Sequence, residues 1–576
     1  MKPNICASKL SPLAAVLWLL CTQAFATDPV AADTLIISNN VLPMDQTMAT
    51  AAQPGAVAVV GERIAWIGSP EQAQAWIGTE TQVVDYGDQA VLPGFIDAHG
   101  HLSFSALATT VANVASPPVG PVKNIAQLQD TLRAYIEEKG IANGDWVVGM
   151  GYDDSLIAEN RHPNRDELDA VSTSHAIFLV HVSGHLIATN SRGLARAGIT
   201  AETPDPPGGI IRRRPGSQEP DGVLEETATY ALRQFMSAAN KEPIASVAQA
   251  MRDYASYGIT TIQDGAASEE VMTLLSAAAA AGALSMDVVA YPVGMAEPES
   301  IASAYTFGVY ENRLKTGGIK LILDGSPQGK TAFLSAPYHV PPHGLPADYA
   351  GYPTIDPVQT ATLVAAYLDR NIPIIAHANG DAAAQMLIDA VADADPQHDH
   401  RTVMIHAQTV REDQLTAMKN LAMIPSFFST HTFYWGDWHR DSVLGEERAR
   451  RISPTASTLQ RGMVFTVHND APIVPPDMIR LLWATTNRQT RSAKVLGAEQ
   501  RISTYDALRA MTTHAAYQHF EEDDKGSLEA GRLADVVVLS QDPLSLAPED
   551  LLSLEVVATY SRGRQVFSAT QPASAR

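Results

Sequence analysis

With 576 residues, 45% hydrophobic and 18% charged, the chain exceeds one ordinary compact core, and it reads as two or more soluble globular domains unless an α/β barrel absorbs much of it. A formal net charge of −23 and a pI near 5.1 argue against nucleic acid or an anionic membrane surface as partner.

The first 26 residues stand apart from the rest. Lys2 and Lys9 precede or open an apolar run, Leu10 to Cys21, and Ala24-Phe25-Ala26 closes the stretch. That is the layout of a secretory signal peptide cleaved after Ala26. The run is short for a bilayer span, so no stable membrane insertion is expected. Leu20 also stands where lipoprotein processing at Cys21 would want a small residue. The expected location is secreted, in the periplasm of a Gram-negative bacterium. Cys6 and Cys21 both depart with the leader, so a metal site in the mature chain must use His, Asp, Glu or a modified Lys.

Residues 27–93 hold "TLIISNNVL", "AVAVVGERIAWIG" and "TQVVDYGDQAVLPG". Their apolar–polar alternation, broken by Gly and Asn-Asn, predicts a small antiparallel sheet. The same texture returns over 515–576 in "GSLEAGRLADVVVLS" and "EVVATYSRGRQVF", which suggests one β domain assembled from both ends. Between them, 94–514 alternates short apolar strands with helical stretches, the pattern of βα units around a parallel sheet. Eight strands are predicted: "FIDAHGH" (95–101), "TTIQDG" (260–265), "SMDVVAYP" (285–292), "GIKLILDG" (318–325), "IPIIAHANG" (372–380), "TVMIHAQ" (402–408), "MIPSFFST" (423–430) and "MVFTVHNDAP" (463–472). Eight is the number that closes a barrel. The long gap after the first, about 102–250, has strands of its own and reads as an inserted subdomain.

Several of these strands end in residues that packing does not call for. His99 and His101 are spaced i, i+2, so both imidazoles can reach one point. His377, His406 and Asp470 close the fifth, sixth and eighth strands, and Lys320 sits inside the otherwise apolar fourth. Barrel strands converge at their C-terminal ends, so the six would meet. A charged Lys on a buried strand is costly unless neutralised or paired. An N-cap role in "HNDAP" is the plain alternative for Asp470, and the two roles could coexist; pairing with Asp264 or Asp324 in a one-metal site is the alternative for Lys320.

The ordered set "PGFIDAHGH", "KLILDGSPQGKTA", "HANGDAA", "IHAQ", "HNDAPI" and "KGSLEAGRLADVVVL" resembles the metal-dependent amidohydrolase superfamily, over about residues 34–568. More narrowly it resembles amidohydrolase family 3, the N-substituted formamide deformylase-like branch. The resemblance implies an α/β fold: a (β/α)8 TIM-like barrel flanked by a composite β-sandwich. It also implies one or two divalent metal ions, usually zinc. His99, His101 and Asp470 would hold the more buried ion, His377 and His406 the second, and an N6-carboxylated Lys320 would bridge them. Asp470 would act as general base and then acid, and His185, in "HVSGHLIATNS", would touch the substrate or its tetrahedral intermediate.

His431, Trp435 and Asp437, in "STHTFYWGDWHR", lie where the mouth of the barrel is expected, and Gln328, with Ser326 and Lys330, follows the fourth strand. These are candidates for substrate binding. His181 reads as structural, and Arg212 to Arg214 as a solvated turn, with a substrate carboxylate as the sharper alternative. The expected function is hydrolysis of a C–N bond in an amide, formamide or cyclic amide. The same ligands would also serve a lactonase, an esterase or a phosphoester hydrolase, and a scaffold without catalysis ranks lower because no ligand position is empty. The expected partner is a small-molecule substrate, with the oligomeric state left open and a homodimer among the options.

Overall fold

The computed structural model describes residues 31–45, 51–236, 240–295, 297–342 and 344–569, so the signal peptide read over 1–26 lies outside the described residues. Strands from the two ends of the chain share one eight-stranded sheet. Ala90–Pro93 pairs antiparallel with Val536–Leu539, and this joins the N-terminal strands to the C-terminal ones. Alternation along Val536–Leu539 serves two cores at once. Val536 and Val538 pack with Ile36, Val57 and Val91, while Val537 and Leu539 face the main core of the molecule. The sheet is mixed rather than purely antiparallel, because Gln82–Asp85 and Ala90–Pro93 run parallel to Thr34–Val41. The reason is the connection: the chain crosses over through the turn Gln72–Trp76 instead of returning by a hairpin.

The eight predicted central strands all form. They are β1 (Phe95–Ile96), β2 (Ile259–Ala267), β3 (Asp287–Pro292), β4 (Ile319–Ile322), β5 (Ile374–Ala378), β6 (Val403–His406), β7 (Ile424–Phe427) and β8 (Thr466–Val467). Pairing is parallel from β1 to β3 and from β4 to β8. Between these two arcs, Leu314–Thr316 pairs parallel with β3. After Gly317 and Gly318 the same segment continues as β4 and pairs with β5. The ring does not close by strand pairing between β8 and β1. Two backbone bonds span that seam beyond the strand ends, His101 N–H to Ala471 O at 2.8 Å and Asp470 N–H to His99 O at 3.1 Å.

Helices follow the strands and start on conventional caps. Ser268 caps Glu269–Ala280, Ser503 caps Thr504–Met511, and Asp356 caps Pro357–Leu368 with proline in the first turn. After β1 the chain forms the helix Leu102–Ala108 and then a six-stranded sheet drawn from Ala112–Asn113 through Pro220–Glu226. It returns as the helix Pro243–Ser256, which leads into β2. Arg212 and Arg213 belong to a strand of this sheet, Gly209–Arg213, rather than to a solvated turn. Arg212 pairs with Glu225, Arg213 donates to the carbonyls of Gln218 and Thr203, and Arg214 pairs with Asp166 at 2.6 Å. Their charges are spent within the insertion. Among the described residues, no helix is long and apolar enough to cross a membrane.

Candidate metal centre

The seam between β8 and β1 is where the predicted ligands gather. His101 Nε2 lies 3.1 Å from Asp470 Oδ1, and His99 Nε2 lies 3.4 Å from the same oxygen. The other carboxylate oxygen, Oδ2, faces His406 Nε2 at 3.9 Å. His406 Nε2 is in turn 3.0 Å from His377 Nδ1, and Lys320 Nζ is 3.2 Å from His99 Nε2. All six residues are thus brought to one place, with Asp470 between a pair from β1 and a pair from β5 and β6. Asp470 Oδ1 is buried and has no well-formed hydrogen bond, the expected state of an oxygen shaped for a cation. Four imidazoles and a carboxylate within 4 Å of their neighbours are a borderline nitrogen–oxygen donor set of the kind zinc prefers.

Proton positions around these rings follow from their outer partners. The Gln263 amide donates through Nε2 to the Ala98 carbonyl at 2.9 Å, which turns Oε1 toward His99 Nδ1 at 2.5 Å. An oxygen there fixes the proton on Nδ1 and leaves the Nε2 lone pair facing Asp470. His377 Nε2 lies 2.9 Å from the Gly325 carbonyl and 3.0 Å from the Asn379 amide nitrogen; when it donates to the carbonyl, its Nδ1 lone pair faces His406. Room for this arrangement is bought at Gly265, where a β-carbon would sit 2.4 Å from His99 Cε1. Gln263 and Gly265 lie on β2, in the predicted "TTIQDG". A buried amide and a glycine on an apolar strand were the available signs, but neither carries a charge to draw attention.

Electrostatics favour neutral rings around an ionised carboxylate. Burial, and then the Lys320 charge, hold His99 well below the usual histidine range, and burial with the neighbouring rings does the same for His377 and His406. Burial alone would push Asp470 up, but His101, His99 and His468 outweigh it and hold its carboxyl well below the usual carboxylate range. Burial pushes the Lys320 ammonium down to about 7 against the pull of Asp470. Asp97, the acid that opens the Asp-x-His-x-His run, is pushed up to about 8 by burial and by the Asp470 charge. Among the described residues, neither acid proposed as an alternative partner for Lys320 forms an ion pair with it, although Asp264 Oδ1 has no hydrogen-bond partner. Asp324 accepts three backbone N–H groups, from Phe333, Asn379 and Gly380, and Asp264 accepts the Ser103 N–H at 2.7 Å. Nor does Asp470 cap a helix: the next one, Met478–Asn487, is capped by Asp477.

His185 joins the cluster from the inserted sheet. Its ring centre is 4.8 Å from that of His377, and its Nδ1 is 2.7 Å from Glu226 Oε2. Glu226 is buried and holds φ +48°, ψ −122°, a conformation an L residue adopts only under constraint. Its part in placing His185 had no sequence signature. Gln328 is buried, and its Oε1 has no hydrogen-bond partner. His431 is buried against Phe428, at 4.3 Å between rings, and feels the charge of Asp470. Trp435 packs on His431 at 4.8 Å and donates its indole N–H to Asp153 at 2.8 Å, so it braces that histidine. Asp437 is not brought to the cluster. Its carboxylate is taken up by Arg440, Thr490 and Ser492, because it closes the turn at 490–492. Lys330 likewise turns away, to Ser442 and the Val340 carbonyl.

A second group, Asp154, His162 and His181, also has the spacing of an ion site. There the Ser183 backbone N–H donates to His181 Nδ1 at 3.2 Å, which leaves the proton on Nε2 to be donated to Asp154 at 2.9 Å. The Arg212 charge acts on the same carboxylate. The group is a closed hydrogen-bonded brace, in keeping with a structural His181.

Comparison with known proteins agrees with this geometry. A model of the amidohydrolase family matches residues 82–567. The N-substituted formamide deformylase of Arthrobacter pascens is 27% identical over 565 residues, covering 92% of this chain and 97% of the relative. Two crystal structures of uncharacterized metal-dependent hydrolases share the fold at 22% identity each. The one from Pyrococcus horikoshii OT3 has a TM-score of 0.70 and covers 89% of this chain and 99% of its own. The one from Pyrococcus furiosus has a TM-score of 0.67 and covers 89% and 100%.

Proposed function

The chain belongs to the amidohydrolase family, and from that premise we propose that it cleaves a C–N bond in a small amide, formamide or cyclic amide at a centre held by His99, His101, Lys320, His377, His406 and Asp470. One observation carries this reading: a single buried carboxylate, Asp470, turns one oxygen to His99 and His101 and the other to His406. When bound, one or two zinc-type ions supply the Lewis acidity that lowers the pKa of water and polarises a carbonyl. Everything else falls to the chain. Asp470, ionised and aimed into the site, accepts the proton of the attacking water and returns it to the leaving nitrogen. His185, held by Glu226 beside His377, faces the carbonyl side of the substrate, and Gln328 Oε1 offers an acceptor for a substrate N–H. Lys320 is read as N6-carboxylated. A buried amine with no acid partner can add to CO₂ with loss of one proton, and the resulting carbamate anion removes a cation from beside the metal ligands.

The formamide reading is supported by a deformylase of which this chain matches 97% of the length, at 27% identity. The ring of eight strands is read as a (β/α)8 barrel, and the two ends of the chain as its composite β-sandwich. Secretion to the periplasm, with the mature chain starting at Thr27, completes the proposal and is checked by N-terminal sequencing of exported protein. The decisive experiment is metal analysis of purified mature protein coupled to a hydrolysis screen over N-formyl, N-acyl and cyclic amides and lactones. Chelation and His101→Ala should each abolish amide turnover, and zinc should restore the chelated enzyme. Full turnover in metal-stripped protein, or turnover confined to lactones, would overturn the reading.

A further inference from the structure

Three histidines of the proposed centre, His99, His377 and His406, are tied through their outer nitrogens, but the ties differ in kind. His99 has an amide oxygen, which can only accept, and His377 has the Gly325 carbonyl at 2.9 Å, beside the Asn379 amide nitrogen at 3.0 Å. His406 has another histidine. His406 Nδ1 is 3.2 Å from His468 Nε2, and His468 Nδ1 is 2.9 Å from Ser426 Oγ. His468 is fully buried at the end of β8, edge-on to His99 with 5.2 Å between ring centres, and burial keeps it neutral.

An imidazole and a hydroxyl can each donate or accept, so this chain admits two proton arrangements. In the first, Ser426 donates to His468, His468 to His406, and His406 through Nε2 to His377. Every nitrogen is then satisfied and no lone pair on His406 faces inward. In the second, His406 donates from Nδ1 to His468, and His468 donates from Nδ1 to Ser426. Only this one leaves a lone pair on His406 Nε2, opposite the lone pair that His377 Nδ1 presents when its Nε2 donates to Gly325. His99 has no such choice.

Resting on the metal-centre reading above, we propose that His468, backed by Ser426, is a positioning residue that sets the tautomer of His406 and thereby controls occupancy of the His377–His406 position independently of the His99–His101–Asp470 position. A ligand with an ambivalent outer partner is held less firmly than one with a fixed acceptor, which makes this second position the weaker and more exchangeable of the two.

The test is titration of metal-stripped enzyme with Co²⁺, followed by visible absorption and by metal content after dialysis. Wild type should take two equivalents, the second more weakly. His468→Phe keeps the ring but offers no acceptor. It should bind the first equivalent unchanged and the second 10- to 100-fold more weakly, the effect typical of losing an outer partner. His468→Gln places Oε1 where Nε2 stands and should keep the second equivalent within a few-fold of wild type. An unchanged second equivalent in His468→Phe would overturn the proposal while leaving the metal centre intact. Equal loss of both equivalents in the Phe and Gln variants alike would also overturn it, as a packing effect. A wild type that binds no cobalt would instead sink the metal-centre reading itself.

Discussion

Lys320→Met should make the metal-free protein more stable while destroying its activity. The Lys320 side chain is 2% exposed, with Nζ 3.2 Å from a histidine nitrogen. Its ordinary value of 10.5 falls to about 7 in the folded state. Each unit of such a shift is worth about 1.4 kcal/mol, so keeping an unmodified lysine there costs folding roughly 5 kcal/mol below pH 7. The sign follows from proton uptake. The folded value is depressed, so between about pH 7 and 10.5 the unfolded chain binds more protons, and wild-type stability rises with pH across that window. Methionine is close in length and volume, carries no charge and leaves no large cavity. The variant should therefore exceed wild type by a few kcal/mol at pH 6.5, by less at pH 9, and by little above pH 10.5. Urea unfolding of both proteins, metal-stripped and in CO₂-free buffer, measures this directly. A Met variant no more stable than wild type at pH 6.5, or a difference that does not change with pH, would refute the reasoning. A stabilised, inactive variant would mark Lys320 as a residue kept for chemistry at the expense of stability.

Gly265→Ala would drive a β-carbon to 2.4 Å from His99 Cε1, so His99 must leave Gln263. Metal content should fall at the His99–His101–Asp470 position and turnover with it, whereas unchanged metal binding would show that His99 has slack. Glu226→Gln keeps the shape of the side chain but takes the charge from beside His185. Hydrogen bonds to charged groups are worth about 1.5–3 kcal/mol, so kcat/KM should drop by roughly one to two orders of magnitude with metal content intact. An unaltered kcat/KM would remove His185 from the reacting centre.

The proposed ligands were legible in the sequence because strands impose a period and a direction. His99 and His101, two apart, had to share a face, and His377 and His406 had to appear where an apolar strand runs out. Lys320 stood out because a lone charge on a buried strand demands a reason. The supporting groups were silent for the opposite cause. Gln263, Glu226, Ser426 and His468 act by contacting residues that are 164, 41, 42 and 62 positions away respectively. Those contacts depend on which strands become neighbours, and no local pattern encodes that. Asp437 misled for a related reason. An acid beside aromatics at a loop suggests a pocket, but a short-range turn at Thr490–Ser492 claims it first. The mixed terminal sheet was equally hidden, since alternation fixes which side chains are buried and says nothing of strand direction.

Positive φ angles at non-glycine residues occur along the whole described chain, and four of them stand where the chemistry is proposed. His406 has φ +71°, Ala407 +43°, Asp470 +57° and Glu226 +48°. Aspartate tolerates the left-handed region, but a histidine at the end of a strand and an alanine after it do so at a cost of order 1–3 kcal/mol each. A strand that continued in extended geometry past Ile405 would carry the His406 side chain to the alternate face, away from His377. Turning φ positive at His406 and Ala407 ends the strand and leaves the ring between His377 and His468. Asp470 makes the corresponding turn at the end of β8. Its own N–H reaches back to the His99 carbonyl, and the next residue accepts from His101 N–H. The two bonds that hold the open seam of the ring are therefore made by the ligand residues and their immediate neighbour. Closing that seam with regular strand pairing would require extended geometry at 470, which would swing the carboxylate out from between the two histidine pairs. The unclosed seam and the proposed metal centre are, on this geometry, the same feature: the ladder stops so that one carboxylate can face both sides.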